Sequence, residues 1–252
     1  MSESLEITAG GPGLRALLSR AVGLDASASA RFRVLSTDGD GGDLIDVFVT
    51  TPFDVVACRR IKGTVSRDGA VVAASTLLHS LETEQTHLGP ARDTSWPGAL
   101  PPTQGFQLVD NLPVHVVREL ADKGRNLARQ FSGPMGPPQS LLNQTVLTVH
   151  PGSSDEHADA AASELPGNSA GTEANSEPAS TGQTESSAAH AGEEVEIPMR
   201  MIFACTNLGL IPGFSAPMDI PRHLRVSANG RWSRVDAPFG SVYHSRGLSV
   251  LF

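Results

Sequence analysis

Residues 224–236 read "LRVSANGRWSRVD". Two runs of alternating apolar and polar residues flank Asn229-Gly230, a strong short-range hairpin signal because both central positions of a type I′ turn need φ > 0. A two-residue turn there pairs Ala228 with Arg231, Ser227 with Trp232, Arg225 with Arg234 and Leu224 with Val235. Side chains alternate across a strand, so Leu224, Val226 and Val235 make a core-like face and Arg225, Trp232 and Arg234 the opposite one. The chain therefore closes in antiparallel sheet, and the fold class follows from what precedes it.

Immediately upstream, "EVEIPMR" reads as a strand and runs into a helix that begins at Pro198, carries Met199, Ile202, Phe203 and Thr206 on one side, and stops at Gly209. "QTVLTVH" alternates in the same way and predicts the strand that pairs with it. Between them, residues 151–193 are built from Ser, Ala, Gly, Glu, Thr and Pro, with too little apolar surface to offset the ordering entropy of the backbone. They are expected to form a disordered acidic linker, an overgrown hairpin loop. Such an insertion costs little, because loop closure adds only about 0.6 kcal/mol per doubling of length.

The linker also explains the charge. The chain of 252 residues carries a net charge of -8, yet residues 151–194 hold nine acidic side chains and neither Lys nor Arg, which leaves 19 basic against 18 acidic residues elsewhere. The remainder is close to neutral.

Further upstream, Pro113 opens the clearest helix, with Val116, Val117, Leu120, Gly124, Leu127 and Phe131 at three- and four-residue intervals. "HLGPARDTSWPGALPPTQG" is too rich in Pro and Gly for regular structure and is the expected domain boundary. Before it, "RFRVLS", "LIDVFVT" and "FDVVACR" form a three-strand meander, "GTVSRDGAVV" a further short hairpin, "ASTLLHSLE" a helix capped by Ser75, and Leu14 to Val22 a short amphipathic helix. The expected architecture is α+β: an antiparallel N-terminal β-meander with short helices over residues 1–92, and a C-terminal module over 93–252 with two main helices and two β-hairpins, interrupted by the linker 151–193.

Chemistry-bearing motifs are weak. "GFSAP" at 213–217 lacks the final Gly and the strand-to-helix setting of a nucleophile elbow around Ser215. "DGDGGD" at 38–43 fails the calcium-loop spacing, and "GGPG" before the first helix has no preceding strand or following Lys to cradle phosphate. Eight His make no HxH or HxxxH pair, and Cys58 and Cys205 are expected to be buried thiols, so neither a metal nor a cofactor is expected. Asp236, Ser241 and His244 invite a triad, but on one extended segment they point in different directions.

Residues 198–252 are locally basic, with six Arg against Asp219 and Asp236. Arg225 opposite Arg234 repels mildly, an arrangement easier to understand if an anion or acidic partner sits there. Arg225, Trp232, Arg234 and Tyr243 are therefore the candidate contacts for a ligand or partner. The acidic linker is a candidate internal partner of that basic face.

"SWPGALPPTQGFQLVDNLPVHVVRELADKG", "VEIPMRMIFACTNLGLIP" and "GRWSRVDAPFGSVY" resemble an uncharacterised actinobacterial protein family with a W-x-G-x-LPP segment and a G-R-W-x-R-x-D-A-P-[FY]-G-S-x-Y ending. The resemblance spans residues 14–252 apart from the linker. It implies a cytoplasmic protein and no particular reaction. No apolar run approaches the roughly 20 residues of a membrane span, and "MSESLEITAGGPG" has no signal-peptide pattern, so a cytoplasmic location without membrane contact is expected. The favoured function is a non-catalytic binding or scaffolding protein that meets an unknown protein partner through the C-terminal Arg/Trp face. A winged-helix-like nucleic-acid-binding module stands second. An enzyme, third, needs residues distant in sequence to converge.

Overall fold

The Asn-Gly hairpin forms one step out of the expected register. In a computed structural model, which describes residues 2–36, 42–131, 137–149 and 194–246, strands β10 (His223–Asn229) and β11 (Trp232–Ala237) pair Asn229 with Trp232, Ser227 with Arg234 and Arg225 with Asp236. The turn residues are thus Gly230 and Arg231. Only Gly230 has a positive φ, +54°, as a two-residue turn with glycine at its first position requires. Arg225 faces a carboxylate and not Arg234, so the anticipated repulsion does not arise. The expected linker 151–193 and most of the Asp-Gly turn at 38–43 lie outside the described residues.

A second two-residue turn at Pro238 and Phe239 leads into β12 (Gly240–Ser245), which pairs with β11 on one side. On its other side it meets β4 (Val56–Val65) through Ser241↔Cys58, Val242↔Ala57 and Tyr243↔Val56. Gly240 makes this joint possible: its φ is +147°, and a Cβ there would lie 2.7 Å from the Cys58 carbonyl oxygen.

The N-terminal meander is present as β2 (Ser29–Ser36), β3 (Asp43–Thr50) and β4. With β5 (Val71–Ala73) and β7 (Gln107–Pro113), these strands give the continuous order β5-β2-β3-β4-β12-β11-β10-β7. Strand β1 (Ser2–Ala9) pairs with the far end of β4 and with β6 (His87–Pro90), completing a ten-stranded sheet. "GTVSRDGAVV" is not a hairpin: Gly63 to Val65 pair with β1, whereas β5 pairs with β2. The strands flanking the linker, β8 (Thr145–Val149) and β9 (Val195–Pro198), form their own two-stranded sheet.

One row of side chains crosses almost the whole sheet. Val226, Val235, Val242, Ala57, Val49, Ala30 and Val72 stand opposite one another in succession, none more than 2% exposed. Full burial of a valine is worth about 1.5–3 kcal/mol, more than an exposed ion pair at about 0–1 kcal/mol. Apolar packing therefore decides the joint.

Helices cover that face. Helix α1 (Gly11–Leu24) buries Leu14, Leu17, Leu18 and Ala21 at helical spacing and packs on α2 (Ala74–Glu82). Ala73, not Ser75, occupies the cap position of α2, and no side chain caps it. Helix α3 (Val114–Phe131) packs on α5 (Met199–Asn207), with the short α4 (Gln139–Asn143) beside it. Helix α5 is buried from Met199 to Cys205. Among the described residues no helix is long and apolar enough to cross a membrane.

The opposite face is crossed by residues 91–106, the Pro/Gly-rich stretch. Arg33 and Asn229 donate hydrogen bonds to the Pro101 and Gln104 carbonyls, and Trp96 and Phe106 lie against the sheet. The segment is a strap that touches β2 in the N-terminal half and β10 in the C-terminal half.

Candidate functional site

The four residues singled out from sequence lie on the strapped face and do not share one exposure. Trp232 is 8% exposed, clustered with Phe48, Cys58, Val71, Trp96 and Tyr243. The Tyr243 ring sits 5.8 Å from Phe48 and 5.9 Å from Phe106, in tilted and edge-on geometry. Arg234 lies 4.7 Å above the Phe106 ring and pairs with Asp236 at 2.8 Å. Arg225 alone is exposed. Burial pushes the Tyr243 phenol and the Cys58 thiol upward, Cys58 further through Asp46, so both stay protonated at neutral pH.

Two of the three triad-like residues meet. Ser241 Oγ donates to Asp236 Oδ1 at 2.6 Å on the strapped face. His244 is an odd number of residues from both along its ladder and faces the helix side, opposite Ser233. Burial, then Arg200 and Arg246, hold its pKa down at about 4, which leaves the imidazole neutral. No triad is assembled. Ser215 sits in an exposed loop, and no cluster of three or more metal-ligating side chains occurs among the described residues.

The helix side carries a basic surface that the charge of any single helix understates. Helices α1, α2 and α3 together bear Arg15, Arg20, Arg118, Lys123, Arg125 and Arg129 against Glu82, Glu119 and Asp122. Each helix is unremarkable alone, so only their assembly on one face gives the excess of positive charge. Arg125 pairs with Asp122 at 2.5 Å, while Arg15, Lys123 and Arg129 make no ion pair among the described residues.

Beside α3, two arginines shape a surface loop. Arg118 donates to the Pro212 carbonyl and stacks 4.3 Å from the Phe214 ring. Arg222 donates to the Gly213 and Ala216 carbonyls at 3.0 and 2.8 Å. The loop so held presents Phe214 at 88% and Met218 at 92% exposure. Nothing local to "GFSAPMD" announces this, because the two arginines that fold it are distant or flanking.

Paired helices over a continuous antiparallel sheet define a class of known structure. The chain superposes with a TM-score of 0.51 on a protein assigned as a DNA polymerase III beta subunit from Eubacterium rectale, at 9% identity, covering 100% of this chain and 66% of that one. A DNA polymerase sliding clamp from Pseudomonas aeruginosa (10% identity, 100% and 66% coverage) and the pol III beta of Caulobacter crescentus (12%, 96% and 64%) both score 0.49. The chain thus spans just under two thirds of the length of these structures. By sequence it belongs to the family Domain of unknown function (DUF8185), matched over residues 101–167 and 153–249. Residues 5–98 match a second family, Domain of unknown function (DUF8010). No curated protein matches the sequence.

These findings correct the functional expectation. The likeness to a polymerase beta subunit runs over the whole chain, so the unit is the ten-stranded sheet with its two helix pairs and not a scaffold acting through a C-terminal Arg/Trp face. Trp232 under the strap cannot stack on a partner without displacing residues 91–106. The winged-helix alternative also falls, because the β10–β11 hairpin is held inside the sheet between β12 and β7.

Proposed function

We propose that the chain is a clamp-like DNA-binding protein whose helix face lies along the phosphate backbone and whose Phe214/Met218 loop meets a protein partner. One observation carries the reading: a fold like that of a DNA polymerase III beta subunit presents six basic and three acidic residues on α1, α2 and α3. Lys and Arg that neutralise phosphates release counterions, which makes such binding independent of sequence and steeply dependent on salt. The near-neutral balance outside residues 151–194 does not oppose this, since it sums over the whole chain whereas α1, α2 and α3 carry six basic against three acidic residues. The acidic segment 151–193 acts on this reading as an internal competitor for the same cationic surface.

The test is fluorescence anisotropy of a labelled duplex at increasing salt, for the wild type and for a variant carrying Arg15→Gln, Arg20→Gln, Lys123→Gln and Arg129→Gln. Loss of about four phosphate contacts should flatten the log K against log salt slope by about 3.6. An unchanged slope in a folded variant, or no binding at low salt by the wild type, overturns the reading.

A further inference from the structure

A cavity of about 350 Å³ opens on the strapped face where β4 meets β12. Both halves of the sheet build it: Asp46 and Arg60 from β3 and β4, and Arg234, Asp236, Ser241 and Tyr243 from β11 and β12. The stretch from Arg234 to Tyr243 supplies most of its wall, so the ending that the sequence resemblance rests on is spent largely on one concavity.

Its polar groups are unevenly matched. Asp46 is 2% exposed and is held by Arg60, through Nε at 2.8 Å and Nη2 at 3.1 Å, and by Arg33 at 3.5 Å. Asp236 accepts from Ser241 and pairs with Arg234. Three guanidinium groups therefore face two carboxylates. Arg59 borders the cavity only from β4: its guanidinium lies on the helix side against Gly13 and donates to the Phe239 carbonyl. The surplus is about one positive charge. In addition Arg234, which lines the cavity, has a buried Nε with no hydrogen-bond partner. A buried donor left unmade costs about 1–3 kcal/mol, so an acceptor brought there gains more than one placed on an open surface.

We propose that this cavity binds a small phosphorylated molecule, with its phosphoryl oxygens on Arg60 and Arg234 and its polar remainder within reach of the Ser241 and Tyr243 hydroxyls. A phosphate monoester is anionic near neutral pH, as the surplus of positive charge requires, and planar guanidinium forks suit its oxygens. A duplex does not fit a concavity of this size. The site lies on the face opposite the basic helices and stands independently of the DNA-binding reading.

The experiment is titration of the full chain with inorganic phosphate, and separately with acetate at matched ionic strength, read by calorimetry and by ¹H–¹⁵N spectra of the arginine Nε–H groups. Phosphate should move the Arg60 and Arg234 signals saturably, and acetate should not. A charge-assisted hydrogen bond is worth about 1.5–3 kcal/mol, so Arg60→Gln and Arg234→Gln should each weaken phosphate by about tenfold or more. Ser241→Ala, which keeps every charge, guards against a variant that fails to fold and should weaken it by about threefold. Shifts that never saturate, equal response to acetate, or unaltered affinity in folded variants overturns the proposal. Duplex binding unchanged in Arg234→Gln keeps this site separate from the helix face.

Discussion

Val242 on β12 stands directly opposite Ala57 on β4, both fully buried, and this pair joins the N-terminal meander to the C-terminal strands. A sheet continuous through such a joint should unfold as one unit. Val242→Ala removes two methyl groups from a site with no solvent access, at an expected cost of about 1.5–3 kcal/mol. Urea unfolding followed by far-ultraviolet dichroism and by tryptophan emission should give one coincident transition, shifted equally in both signals. Two transitions, only one of which moves, would show that the halves fold separately.

Arg200 bolts the same joint from the helix side. Its guanidinium donates to the Phe53 carbonyl at 3.0 Å, to Asp54 at 3.1 Å and to Asn143. Removing one partner of a fully buried ion pair costs about 3–5 kcal/mol because a bare charge is left inside. Here the Asp54 side chain is 67% exposed and stays hydrated. Arg200→Met should therefore cost only about 1–3 kcal/mol, mainly for the orphaned Phe53 carbonyl, measured as a fall in the urea midpoint.

Much of this fold was legible and its limits have identifiable causes. The meander, the α3 and α5 periodicities and the β8–β9 pair follow from apolar spacing, which depends only on local repeat. The Asn-Gly signal located a turn but not its register, because Asn229 donates from its side chain to the Gln104 carbonyl at 2.7 Å, a partner 125 positions away. Strand β1 hides its period because its inward Glu3, 4% exposed, is paired with Arg67 at 3.1 Å and accepts a hydrogen bond from Ser66, so a buried position looks polar. The strap reads as irregular from its Pro and Gly, and its placement leaves no local signal because it comes from contacts to Arg33, Asn229 and Tyr243. The basic helix face was invisible because it sums modest contributions from three separated helices.

His244 makes stability depend on pH below neutrality. Its folded pKa of about 4 lies under the ordinary value of 6.5, so between these values the unfolded chain binds the proton and the folded chain does not. Stability is unaffected by this residue above about pH 6.5 and declines as pH falls toward 4, where the folded form also protonates. In His244→Gln that decline should be smaller. Thermal midpoints measured from pH 7 to pH 4 check it, and parallel curves for the two proteins would contradict it.

The strap covers Trp232 and buries its own Trp96 against the sheet, each 8% exposed. Phe106→Ala removes the ring between Tyr243 and Arg234 that pins the end of the strap. Acrylamide quenching of tryptophan emission should rise, with a red shift, while far-ultraviolet dichroism changes little because residues 91–106 contribute almost no regular structure. Unchanged quenching would mean that Arg33 and Asn229 suffice to hold the strap down.

Deleting residues 151–193 removes eight carboxylates and no Lys or Arg from a chain whose helix face carries an excess of positive charge. The deletion leaves β8 and β9 to be joined by a short turn, which their antiparallel pairing permits. If the acidic segment competes with polyanions, the shortened chain should bind duplex DNA more tightly at low salt. The gain should vanish as salt rises, since screening shortens the reach of exposed charges to about 8 Å at physiological ionic strength. The measurement is the same anisotropy titration run on both chains. Equal affinity at low salt would mean that residues 151–193 do not reach the cationic helices, and would leave the DNA-binding reading itself untouched.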